Sequence, residues 1–103
     1  MAIPQLSSAQ LEAAREAATH ARRQRADLKE QVKNGQLSFS AALNKAVEDD
    51  SLSRIKVVDL LRAMPRVGIT RATEIMENLA IAPNRRIRGL GRHQVQRLTE
   101  LFK

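Results

Sequence analysis

The chain has no cysteine, tryptophan or tyrosine, and Phe39 and Phe102 are its only aromatic residues. Without cysteine there is no disulfide and no thiolate chemistry, which fits a reducing compartment. Without aromatics the core must be aliphatic, and little is left to stack on an extruded base. Glycine is scarce, at four residues in 103. No apolar run approaches the ~18 residues that span a bilayer, and the mostly alanine apolar face of residues 8–33 inserts poorly, so no membrane partner is expected. The stretch from Met1 to Gln10 has neither the basic nor the apolar segment of an export signal. Acidic charge is also short: 11 Asp and Glu stand against 18 Lys and Arg, a formal net charge of +7. That balance calls for a densely anionic partner, nucleic acid before a membrane surface.

What is present reads as helix from end to end. Ser7 and Gln10 form a capping box, and Leu6 and Leu11 a hydrophobic staple, which together predict a helix start. The helix should run to Lys33, where Asn34-Gly35 supplies a stop. Its apolar line is Leu11, Ala14, Ala18, Ala21, Leu28 and Val32, interrupted by Arg25. Alanine makes this seam thin, and it is expected to pack on the protein's own domain, leaving a monomer. A second helix should start at Ser38 with Phe39, Leu43 and Val47 on one face and end at Asp49 to Ser51. "SRIKVVDLLRAMP" predicts a third, with Val57, Leu60, Leu61 and Met64 inward, broken by Pro65 and Gly68. A fourth is expected with Thr70 as cap and Ala72, Ile75, Met76 and Leu79 inward, its tail closed by Pro83. The last should bury Val95, Leu98, Leu101 and Phe102. No two-residue periodicity, internal repeat or low-complexity tract is present. The predicted fold is all-α: a long N-terminal helix with a short leader over residues 1–35, then a compact helical domain over 36–103.

The positive charge is uneven. Residues 83–103 hold six basic residues and one acid, and residues 21–35 hold five basic residues and two acids. In "APNRRIRGLGRHQ", Arg85, Arg86, Arg88 and Arg92 surround Gly89 and Gly91 with no acid among them. The segment reads as a connection, and connections on a rigid scaffold carry sites. A helix start offers unpaired N–H groups to an anion, and arginine offers a planar fork that matches phosphate. A second turn, "MPRVGITRA", holds Val67 and Gly68 between Arg66 and Arg71, and its backbone amides suit a phosphate equally. On the long helix, Arg15, Arg22 and Lys29 share a face. With Arg23, Arg25 and Lys33 they make a candidate second surface for nucleic acid.

"MPRVGITRATEIMENLAIAPNRRIRGLG", with the Ala- and Arg-rich helix in front, resembles the core of the actinobacterial integration host factors. These are small basic nucleoid-associated proteins. The resemblance implies a helix-two-turn-helix domain whose paired helices cover about 71–79 and 92–102. It implies binding to double-stranded DNA through the backbone, DNA bending or compaction, and assistance to phage integrase–DNA complexes. By position, Arg85, Arg86 and Arg88 are the implied DNA contacts, and Arg66, Val67 and Gly68 the implied turn contact. Ile69 stands where relatives often carry a basic residue, and Arg92 where they often carry an acid. A cytoplasmic, nucleoid location follows from such a role.

Catalysis is not expected. Pro4 is internal, so no N-terminal proline amine is available. The lysines lie in polar sequence neighbourhoods, unlike a desolvated Schiff-base lysine. His20 and His93 are far apart and the acids show no ligand spacing, so no metal or other cofactor is expected. The alternative function is an RNA binder of the ribosomal-protein type, since the Pro-Arg-Val-Gly turn suits that partner too.

Overall fold

The computed structural model describes residues 7–102. Among the described residues five helices appear in order: α1 (Ser8–Lys33), α2 (Phe39–Glu48), α3 (Val57–Ala63), α4 (Ile69–Asn78) and α5 (Arg92–Leu101). Single 3₁₀ turns sit at Leu52–Arg54 and Ile87–Gly89. Among the described residues there is no strand, only one isolated antiparallel bridge between Lys56 and Arg86.

The start of α1 forms as its residues dictate. The Ser7 amide donates to Gln10 Oε1 at 2.8 Å, and the Gln10 amide donates to Ser7 Oγ at 3.2 Å. Leu6, the other half of the expected staple, lies outside the described residues. Asn34 ends the helix, followed by Gly35 at φ 75, a left-handed conformation that favours glycine. The expected packing of the whole helix does not occur. Every residue from Ser7 to His20 is exposed, and only Leu28 and Val32 are buried. Alanine side chains bury too little area to hold the first half against the domain. Half the helix therefore projects, and the molecule measures 51 × 32 × 23 Å.

The core joins the end of α1 to all four shorter helices. Leu43, Leu60, Leu61 and Leu98 are fully buried at its centre. In α2 the inward face is Phe39, Ala42, Leu43 and Ala46, the spacing of one helical stripe. Val47 falls off that stripe and is 45% exposed, contrary to the sequence expectation. Leu101 is likewise outward at 56%, while Phe102 meets Phe39 with ring centroids 4.8 Å apart.

The predicted third helix is shorter than its pattern. Asp49 Oδ1 accepts from the Ser51 and Leu52 amides, both at 2.9 Å, and folds Leu52–Arg54 into a separate turn. Ile55 and Lys56 are then extended, because their neighbourhood is bonded to a distant segment. The Val57 amide donates to the Arg85 carbonyl at 2.9 Å, and the Ile87 amide donates to the Ile55 carbonyl at 3.0 Å. Met64 becomes the half-buried C-cap of α3. The N-cap of α4 is Gly68, not Thr70, and Thr70 is exposed. α4 stops at Asn78, well before Pro83, with Ala80 at a left-handed φ of 56.

Candidate nucleic-acid interface

The Arg85–Gly89 loop is held from three directions. The bridge to Ile55–Val57 fixes its backbone. Ile87 sits between the arginines and plugs into the core at 2% exposure. Two of the arginine side chains are also bonded: Arg85 donates within the loop to the Gly89 carbonyl at 3.1 Å, and Arg86 donates across to the Arg54 carbonyl at 2.6 Å. Arg85, Arg86 and Arg88 are all exposed. Gly89 explains itself by the first of these bonds. A Cβ there would come within 2.9 Å of Arg85 Cδ, so glycine gives the curled Arg85 side chain its room.

Arg86 and Arg88 share a cleft with Arg25 of α1 and with Arg54. No carboxylate lines it. Arg25 reaches Ser51 Oγ at 3.4 Å, and Arg54 pairs loosely with Asp50 at 3.8 Å on the open surface. In the sequence Arg25 groups with the long helix, and Arg54 is not marked as a site residue. Arg54 has only Lys56 beside it and follows Asp49 and Asp50, so its local charge pattern gives no signal. Only the bridge, which spans some thirty residues, brings it to the loop.

The two glycine-led helix starts differ. Gly68 caps α4 with φ −90, a value open to any residue, and a Cβ added there would meet nothing within 4 Å. Nothing inside the chain requires glycine at that position. Gly91 caps α5 under similar conditions, with only Gln94 Oε1 at 3.6 Å. Its amide is not free for an anion, because it donates to Gln94 Oε1 at 2.9 Å. The side chain of the third helical residue has capped it. The next amides, of Arg92 and His93, are the ones a helix start leaves for an external acceptor.

The remaining basic residues divide into groups. Lys29 and Lys33 line a groove that also holds Arg62, Glu30, Asp59 and Val67, beside the Met64–Gly68 turn. Arg66 is exposed on that turn. Arg71 lies apart, between α4 and α5, in a depression shared with Arg97, Glu74 and Glu100. Arg92 borders a more apolar groove with Val47, Val95 and Glu100. On α1, a turn of 100° per residue puts Arg15, Arg22, Arg25, Lys29 and Lys33 within about 80° of arc. Arg23 falls outside that sector, on the same side as Glu12, Glu16, Asp27 and Glu30. The basic edge of α1 thus runs into the arginine cleft at Arg25. Among the described residues no group of His, Asp or Glu is arranged to hold a metal ion. No helix among them is long and apolar enough to cross a membrane.

The chain is similar to several known proteins. The family described as S13-like H2TH domain matches residues 32–102. The chain is 48% identical over 102 residues to "Integration host factor" of Mycobacterium tuberculosis, covering 99% of this chain and 97% of that protein. It is 41% identical over 102 residues to "Integration host factor" of Streptomyces coelicolor, covering 99% and 95%. Among solved structures, that of sIHF bound to an 8-base-pair palindromic DNA superposes with a TM-score of 0.80 at 40% identity, over 85% of this chain and 99% of that one.

Proposed function

Because the chain belongs to the actinobacterial integration host factors and to the S13-like H2TH domain family, we propose that it binds double-stranded DNA through phosphate contacts and bends or compacts it. The observation that carries this reading is the cleft of Arg25, Arg54, Arg86 and Arg88. Guanidinium groups gathered without a carboxylate repel one another until an anion joins them. Phosphate offers each a bidentate partner. A solved relative bound to DNA supports the same partner.

In this mechanism Arg86 and Arg88 neutralise phosphates, joined by Arg25 and Arg54. Arg85 contributes charge from its curled position beside Gly89. At the first turn Arg66, Val67 and Gly68 approach the backbone, with Gly68 closest because it carries no side chain. At the second, Gly91 lets the strand come near the amides of Arg92 and His93. Arg71 and Arg92 add charge at the margins. The binding free energy comes mainly from released counterions, so affinity falls steeply with salt. Phosphate contacts position without specifying, so sequence preference is weak. Arg88 in a narrow minor groove gives a bias for DNA shape. The basic edge of α1, from Arg15 through Arg22 to Lys29 and Lys33, is the second DNA surface, with Arg23 the least suited of its members. Residues 36–103 then act as the DNA-binding domain and α1 as an arm. A nucleoid protein of the cytoplasm follows, one able to assist phage integrase–DNA complexes by bending their DNA.

A salt titration against a short DNA duplex and a matched RNA duplex tests the proposal, with wild type beside Arg85→Ala/Arg86→Ala/Arg88→Ala. DNA is expected to bind tighter, and the triple variant to lose affinity with a shallower salt slope. Tighter RNA binding reverses the choice of partner. A triple variant that binds like wild type moves the site away from the loop.

A further inference from the structure

One polar side chain ties together the two ends of the arginine loop. Gln94, half-buried, is the third residue of α5. Its Oε1 accepts from the Gly91 amide at 2.9 Å. Its Nε2 donates to the Ala80 carbonyl at 3.2 Å and reaches the Leu79 carbonyl at 3.5 Å. Only this orientation of the amide works. Turned over, it would set an NH₂ against an N–H and an oxygen against two carbonyls. Leu79 is the C-cap of α4 and Ala80 follows it in the left-handed conformation. Gly91 is the N-cap of α5. The side chain therefore spans from the last turn of α4 to the first turn of α5, and everything between them is the loop that carries Arg85, Arg86 and Arg88.

The residue type is informative. A capping box accepts Glu or Gln at this position, and Glu suits the positive end of a helix better. Glutamate would cap Gly91 equally well. It has no N–H to give to Leu79 and Ala80, however, and its charge would stand at the start of α5, where an anion is to be received. Glutamine supplies the cap, the link and neutrality together.

We propose that Gln94 is a positioning residue for the DNA grip. It fixes the spacing between the end of α4 and the start of α5, so that the arginine loop and the Arg92 and His93 amides meet the duplex as one unit. The inference rests on the DNA-binding reading above.

The test compares Gln94→Met and Gln94→Glu with the same two changes at Gln10, whose capping box stands on the exposed start of α1. Duplex affinity and its salt slope are measured below each variant's melting midpoint, with amide exchange at Gly91. Gln94→Met is expected to weaken binding about tenfold. Its salt slope should fall by about 0.9, one phosphate contact, while the protein stays folded. Gln94→Glu should keep the Gly91 amide protected and still bind more weakly than wild type. Both Gln10 variants should stay within about twofold, since Gln10→Glu keeps its cap and the cap lost in Gln10→Met touches no phosphate. A folded Gln94→Met that binds with wild-type affinity and slope overturns the proposal. So does a loss that merely tracks a lower folded fraction. If wild type itself does not hold the duplex at low salt, the functional reading falls first, whatever the Gln94 variants do.

Discussion

Arg88 and Arg15 carry the same side chain on the same chain, in opposite settings. Arg88 belongs to a loop whose backbone is bridged to another segment and whose neighbour Ile87 is buried. Arg15 rides on a stretch of helix in which every residue from Ser7 to His20 is exposed. The backbone of the loop is held before any ligand arrives, as are the Arg85 and Arg86 side chains by their carbonyl partners, so less freedom is lost when the loop binds. The helix arginines lose theirs on contact, but they extend the reach of the molecule. The difference separates a fixed grip from an adaptable arm.

The widest gap between the two regions should come from removing the loop charges. Arg85→Ala/Arg86→Ala/Arg88→Ala is expected to weaken duplex binding by about 100-fold or more at low salt, with a slope shallower by two to three phosphate contacts at roughly 0.9 each. Fluorescence anisotropy across a salt series measures both. Next comes the anchor. Ile87→Ala leaves every charge in place but opens a cavity, at a cost of about 2–4 kcal/mol in denaturant unfolding. If prior fixing of the loop matters, this variant binds about tenfold more weakly even under conditions where it is folded. Unchanged binding would break the comparison.

A smaller effect is expected at Arg54→Ala. Its carbonyl still accepts from Arg86, so the loop stays in place and only a guanidinium is lost. About three- to tenfold weaker binding should result, the scale of one solvent-exposed hydrogen-bonded contact. The smallest belongs to the arm. Arg15→Ala/Arg22→Ala should change affinity for a short duplex by less than about threefold, because exposed charges on a projecting helix contribute little. The same pair should lower compaction of long DNA, read by single-molecule extension. A short-duplex loss exceeding that of the loop variant would invert the roles of the two regions.

The sequence was most legible where structure is local. The Ser7–Gln10 capping box, the Asn34-Gly35 stop and the Ser38 cap lie within a few residues of what they act on, and each forms as read. It was least legible where distant segments meet. Residues around Ile55 look helical, but their backbone bonds with residues 85–87, and no local pattern announces that. Arg54 and Arg25 reach the cleft by the same route. The charge of the loop itself was plain in the sequence. That Gly91 already has its partner in Gln94 was not, because an N-cap glycine reads the same whether its amide is free or taken. Leu11, Ala14 and Ala18 looked like a packing seam because spacing alone does not weigh how much area alanine buries.

Among the described residues the Arg54–Asp50 pair is the sole ion pair, and it is exposed. The seventeen buried hydrophobic residues hold the fold without help from charge. Added electrolyte therefore acts on two properties in opposite directions. It weakens the hold on a polyanion, and it also eases the mutual repulsion of a molecule with a net charge of +7. Ionic strength can strip the protein from its partner while leaving it at least as well folded, ready to be loaded again once the salt is diluted.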